Sequence, residues 1–182
     1  MKKVITILII IGIVGIIITA LFYLFILSGA FAVLMPKPPA PQIKYGEFPF
    51  TITYEINNEV QVYKDAVICE YEGIESWGTA GKYRKWSRNL KSGNEHIVIL
   101  KSKENGKSFE IYVPVPGLAE YYMGDFDKRS REECENGMKD DRYLGYKQGE
   151  IDHSITKEEA LEKYNVKVIN IECSPPIENK FE

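Results

Sequence analysis

The stretch "GKYRKWSRNLK" (Gly81–Lys91) places Lys82, Arg84, Lys85, Arg88 and Lys91 around Tyr83 and Trp86. Cations interleaved with aromatic rings suit polyanions, sugars or lipid headgroups. Lys82, Tyr83, Arg84, Lys85, Trp86 and Arg88 are therefore the candidate ligand surface. The competing expectation is a strand or loop with Trp86 turned inward, because large rings in a small domain usually serve its core. Glu70, Glu72 and Glu75 lie nearby and would pair with the cations at little energetic consequence if exposed.

Other clusters fit known chemistries less well. "DFDKRSREE" (Asp125–Glu133) begins like a calcium loop, but Arg129 stands at the fifth position and Ser130 where a glycine is needed. His96 and His153 are the only histidines. Pairing Cys69 with His96 would give a nucleophile and a base, and no local signature supports it. There is no phosphate-binding glycine loop, no HExxH and no GxSxG. Cys69, Cys134 and Cys173 form no CxxC and lie at no metal-ligand spacing from a histidine. They are expected to be structural thiols, although one disulfide with one thiol left over is compatible with the count. No catalytic residue, cofactor or metal is expected.

These side chains must be carried by something, and the chain opens on an unusual element. Val4–Leu27 is 24 residues without a charge. About 20 apolar residues in a helix span a hydrocarbon core of roughly 30 Å. A cleavable signal core is usually about 7–15 residues. The run therefore predicts a retained membrane span, with Phe22, Tyr23 and Phe25 at one interface. Ala30-Phe31-Ala32 is nevertheless a small-x-small triplet of the kind signal peptidase cuts, so release after Ala32 is the alternative. Lys2 and Lys3 place the N-terminus in the cytoplasm and the rest outside by the positive-inside bias. Past residue 35 the chain carries 21 basic and 26 acidic residues. That balance argues against a nucleic-acid partner, which rewards net positive charge.

Residues 1–35 thus read as stub and anchor, 36–44 as a proline-rich linker, and 45–182 as an extracytoplasmic domain. Pro36, Pro38, Pro39 and Pro41 favour polyproline II, a spacer of roughly 28 Å if fully extended. "FPFTITYEI" (Phe48–Ile56) alternates as a half-buried strand. Pro49 suggests that it lies at a sheet edge. Asn57-Asn58 suits a two-residue hairpin turn into Glu59–Tyr71, expected as two strands broken near Lys64-Asp65. Asn105-Gly106 marks a second hairpin between Glu95–Ser102 and Lys107–Val115, with Ile97–Leu100 apolar on both faces like a central strand. A helical turn is expected within Gly117–Met123, and residues 124–153 read as an irregular charged segment. Thr156 and Glu159 form a capping box for a helix to Tyr164, with Ala160, Leu161 and Tyr164 inward and Asn165 as its stop. Val166–Cys173 is a last strand. The fold class is α+β: an N-terminal transmembrane helix, then a mainly antiparallel β domain with one short packed helix near the C-terminus.

The segments "YGEFPFTITYEIN", "GKYRKW", "AEYYMGD" and "SPPI" resemble a group of small membrane-anchored proteins of Gram-positive bacteria. The group has no assigned activity, so the resemblance implies an envelope location and supplies no catalytic residues. The expected function is a single-pass membrane protein presenting a binding or structural domain. Its expected partner, beyond the membrane, is an envelope protein or an anionic polymer, with the oligomeric state left open. The rival expectation is an envelope enzyme with a site near residues 82–91 and 124–141.

Overall fold

The structure is a computed structural model that describes residues 2–27, 35–77, 81–139 and 143–182. It contains an apolar helix, α1 (Lys2–Leu27), and two four-stranded antiparallel sheets. The strands are β1 (Tyr45–Ile56), β2 (Glu59–Trp77), β3 (Gly81–Leu90), β4 (Ile97–Glu104), β5 (Lys107–Val113), β6 (Tyr143–Gln148), β7 (Ile151–Thr156) and β8 (Val166–Cys173). The short helices are α2 (Ala119–Tyr122), α3 (Lys128–Lys139) and α4 (Lys157–Tyr164). The α+β class read from the sequence is what the chain adopts.

Two compact units divide the chain. One comprises Met1–Ala40 and Glu72–Lys85, the other Pro41–Tyr71 and Trp86–Glu182. In the first unit, α1 includes Lys3–Ile26, 24 residues long and apolar enough to cross a membrane, with none of its apolar window buried. Its proline segment is not a loose spacer. Lys82 Nζ donates to the Met35 carbonyl at 2.9 Å, and an Arg84 nitrogen to the Pro39 carbonyl at 3.2 Å. The triplet Ala30-Phe31-Ala32 lies outside the described residues.

The second unit holds the core. Phe48, Phe50, Ile52 and Tyr54 of β1 all point into it, as their alternation predicts. Asn57 and Asn58 both take positive φ (52° and 66°), which the tight turn between β1 and β2 requires. A two-residue turn fixes register, so β1 pairs with β2 without a slip from Ile56↔Glu59 to Tyr45↔Glu70.

Several expectations are corrected. β2 is continuous through Lys64-Asp65, because Asp65 is held in place by hydrogen bonds instead of turning the chain. β1 lies inside the first sheet, in the order β3-β2-β1-β8, despite Pro49. The proline is tolerated because β8 stops pairing at Phe50↔Cys173, one residue short of it. Ser174 takes over there, donating its N–H and its hydroxyl to the Pro49 carbonyl at 3.1 and 2.7 Å.

The second sheet runs β4-β5-β6-β7, which puts β4 at an edge. Its all-apolar start reflects a register shift between Val98 and Leu100, which brings Leu100 opposite the buried Ile111, so that Leu100 packs on the core together with the buried Ile97 and Ile99. Residues 124–153 are not irregular. They form α3, β6 and the first half of β7; residues 140–142 lie outside the described set. α3 has only a narrow apolar face, Cys134 and Met138 four residues apart and half-buried against the core, and Asp127 caps it by accepting the Ser130 N–H at 2.7 Å. The capping box at Thr156 is present, and Asn165 ends α4 at φ 52°. Ala160 is buried and Tyr164 half-buried, while Leu161 is 46% exposed, one position off the face that residues four apart share.

Candidate functional site

β3 carries the basic stretch as a strand. Trp86 is only 8% exposed; its ring meets Tyr71 edge-on at 5.2 Å, and its Nε1 donates to Asp125 Oδ2 at 2.8 Å. The cations have partners within the chain. Lys85 Nζ sits 3.4 Å from Glu72 and 3.6 Å from Glu75, and Tyr83 donates to Glu75 at 3.1 Å. Arg88 donates to the Gly117 carbonyl and Lys91 Nζ to Glu47 at 2.6 Å. Lys82 and Arg84 hold backbone carbonyls of the proline segment. The stretch brings Tyr83 to the surface at 41% exposure and folds Trp86 away from it.

Cys69 and His96 are not a nucleophile and base. Cys69 is fully buried, and burial pushes its thiol up to about 12. His96 instead stacks on Tyr112 at 4.1 Å, with Nε2 3.6 Å from Glu110 and Nδ1 4.0 Å from Glu95. All three cysteines are free thiols. Among the described residues no group of three or more His, Cys, Asp or Glu side chains could hold a metal ion.

His96 borders an open polar cleft of about 530 Å³. Its walls include Tyr63, Val98, Lys101, Glu110 and Lys147. Strand register builds it. Lys101 of β4 pairs with Glu110 of β5, Glu110 with Lys147 of β6, and Lys147 with Asp152 of β7. The outer face of the second sheet therefore carries one row of alternating charge. Lys101 Nζ lies 2.8 Å from Glu110, and Lys147 Nζ 3.7 Å from Glu95. The hydrogen bond and charge of Lys101 hold the Glu110 carboxyl below its usual range, against a smaller opposing effect of burial.

Tyr112 spans the next row. Its ring fills the place where a Cβ on Gly145 would stand, since such an atom would fall 1.9 Å from the ring. From there its hydroxyl donates to Asp152 at 2.7 Å. Burial first, and then Asp152, push the Tyr112 hydroxyl up to about 12. Both charge signs, a hydrogen-bonding imidazole and a volume within the usual range of ligand sites are features that a polar molecule could use there.

Sequence reasoning did not find the cleft, whose walls come from separate segments. One signal was available. The two-residue turn at Asn105-Gly106 sets Lys101 opposite Glu110 by counting outward. Comparison with protein-family models, with curated proteins and with solved structures finds no match.

Proposed function

We propose that the chain is a single-pass membrane protein with its N-terminus in the cytoplasm, displaying a small binding domain on the outer side of the membrane. The observation that carries this is α1, whose large apolar side chains are exposed on every side. A soluble helix keeps one apolar stripe and a polar remainder. A 24-residue span rises roughly 36 Å, enough for a hydrocarbon core of roughly 30 Å. Lys2 and Lys3 support the orientation. The polar cleft beside His96 supports binding over a purely structural role, with an anionic envelope polymer or an envelope protein as the partner class. Two groups that an enzyme reading would use are engaged elsewhere: the Cys69 thiol is buried, and Asp125 accepts from the Trp86 indole.

Cell fractionation with external protease tests this reading. The full-length chain is expected in the membrane fraction, with its domain digested in intact cells. A full-length chain in the soluble fraction, or a domain shielded until the cells are opened, refutes it. The released form is the second reading, motivated by Ala30-Phe31-Ala32. Mass spectrometry of the mature N-terminus separates the two: a chain beginning at Val33 means release.

A further inference from the structure

The first unit joins the anchor to a particular piece of the sheet, the distal ends of β2 and β3 (Glu72–Lys85). The Met35 carbonyl receives Lys82 Nζ at 2.9 Å. A Cβ added to Gly81, which has φ +95°, would fall 2.7 Å from Met35 Sδ, so β3 begins in close contact with that side chain. Met35 follows the last residue of α1 by eight positions. The intervening sequence is apolar or uncharged throughout, and the first charge after Lys3 is Lys37. The membrane boundary of an anchor falls where uncharged sequence gives way to charged. That boundary lies between Leu27 and Lys37, and β3 is bound to Met35 within it.

Charge points the same way. In the first unit beyond α1, Lys37, Lys82, Arg84 and Lys85 stand against Glu72 and Glu75. Removing these from the totals past residue 35 leaves 17 basic and 24 acidic residues. The piece beside the anchor is thus cationic on an otherwise acidic exterior. Tyr83, at 41% exposure, and Ile74, at 37%, add the aromatic and apolar groups that settle at headgroup depth.

We propose that the distal ends of β2 and β3 rest on the headgroup layer of the membrane that holds α1, with Lys37, Lys82, Arg84, Lys85 and Tyr83 meeting anionic lipid. This rests on the anchor reading above. The polyanion met by the basic stretch is then the lipid surface itself, which leaves the cleft beside His96 for any other ligand.

The full chain reconstituted into lipid nanodiscs, which expose both faces, tests both statements separately. Co-elution with the discs reports the anchor. Acetylation by a water-soluble amine reagent, mapped by mass spectrometry, reports the contact. In phosphatidylglycerol discs, modification of Lys37 and Lys85 is expected to fall about fivefold relative to phosphatidylcholine discs, the effect of an anionic surface on a nearby lysine. Lys103 and Lys107, exposed at the β4–β5 turn, serve as controls and should not change. The protection should disappear at high salt. A chain that fails to co-elute overturns the anchor and this proposal together. A chain that co-elutes with Lys37 and Lys85 modified equally in both lipids overturns the surface contact alone.

Discussion

Trp86 and His96 each sit among lysines and glutamates, and their surroundings end differently. Around Trp86 the charges close on one another or on carbonyls, and the ring goes under them. Around His96 the charges also pair, Lys101 with Glu110 and Lys147 with Glu95, but they stand in a row across the four strands of one sheet and border about 530 Å³ of open space. The difference lies in where the aromatic ring is supported. Trp86 has a core beneath it and an acceptor, Asp125, for its indole nitrogen. His96 rests on Tyr112, which itself lies on the sheet's outer face over Gly145. A dense cluster of cations in sequence thus makes a packed strand, and a dispersed set makes a cleft.

The largest effect that can break this contrast is on stability. Trp86→Ala removes a buried ring and leaves Asp125 without its indole donor, and is expected to cost about 3–5 kcal/mol. Urea unfolding of the full chain in detergent measures it. A loss no greater than that of a surface substitution, about 0.5 kcal/mol, would show that the ring is not the support described. His96→Ala should cost less than Trp86→Ala, because the imidazole, although only 15% exposed, lies against Tyr112 on the outer face and not in the core.

Asp65 gives an intermediate effect. Its carboxylate accepts the Ala66 N–H at 2.8 Å, the Ser92 N–H at 3.2 Å and the Tyr63 hydroxyl at 3.0 Å. It thereby fixes the chain between β3 and His96, next to the cleft wall that Tyr63 forms. Burial would raise this carboxyl, but the hydrogen bonds together outweigh it and hold it below the usual range. A depressed carboxyl stabilises above its unfolded pKa, about 3.9, and loses that stabilisation as pH falls through the folded value. Asp65→Ala should therefore cost about 1–3 kcal/mol at pH 7. The gap to the parent chain should close on acidification below the ordinary carboxylate range. A gap that stays constant with pH would mean that packing, and not the charged acceptor, holds the loop.

The legibility of these regions follows from how local their determinants are. Phe48–Ile56, Asn57-Asn58, Asn105-Gly106 and the Thr156–Glu159 box each state their structure within a few residues, and the chain follows them. The long span of β2 was obscured by Lys64-Asp65, a turn-like pair whose carboxylate is used by residues 27 positions away. β6 and β7 were hidden because their partner β5 lies across α2 and α3, and α3 is polar nearly all round. The cleft was unreadable for the same reason. Lys101 opposite Glu110 follows from a turn, but Lys147 and Asp152 join the row only once β6 is known to pair with β5.

The smallest effect tests whether the row of charges is a binding surface or merely solvated ion pairs. Lys101→Met removes the hydrogen bond that does most to depress the Glu110 carboxyl, so its titration midpoint should move up toward the ordinary range. Carboxyl carbon shifts followed by NMR across the acid range read this directly. Unfolding should stay within about 0.5 kcal/mol of the parent chain, since exposed pairs contribute little. Lys85→Met is the matched substitution on β3, where Lys85 bridges Glu72 and Glu75, and it too should leave the unfolding midpoint where it was. The two variants separate when a polyanion is added. If the cleft binds through its cations, Lys101→Met weakens that binding and Lys85→Met does not. Equal weakening by both would erase the distinction between the row of charges that borders the cleft and the basic strand beside the anchor.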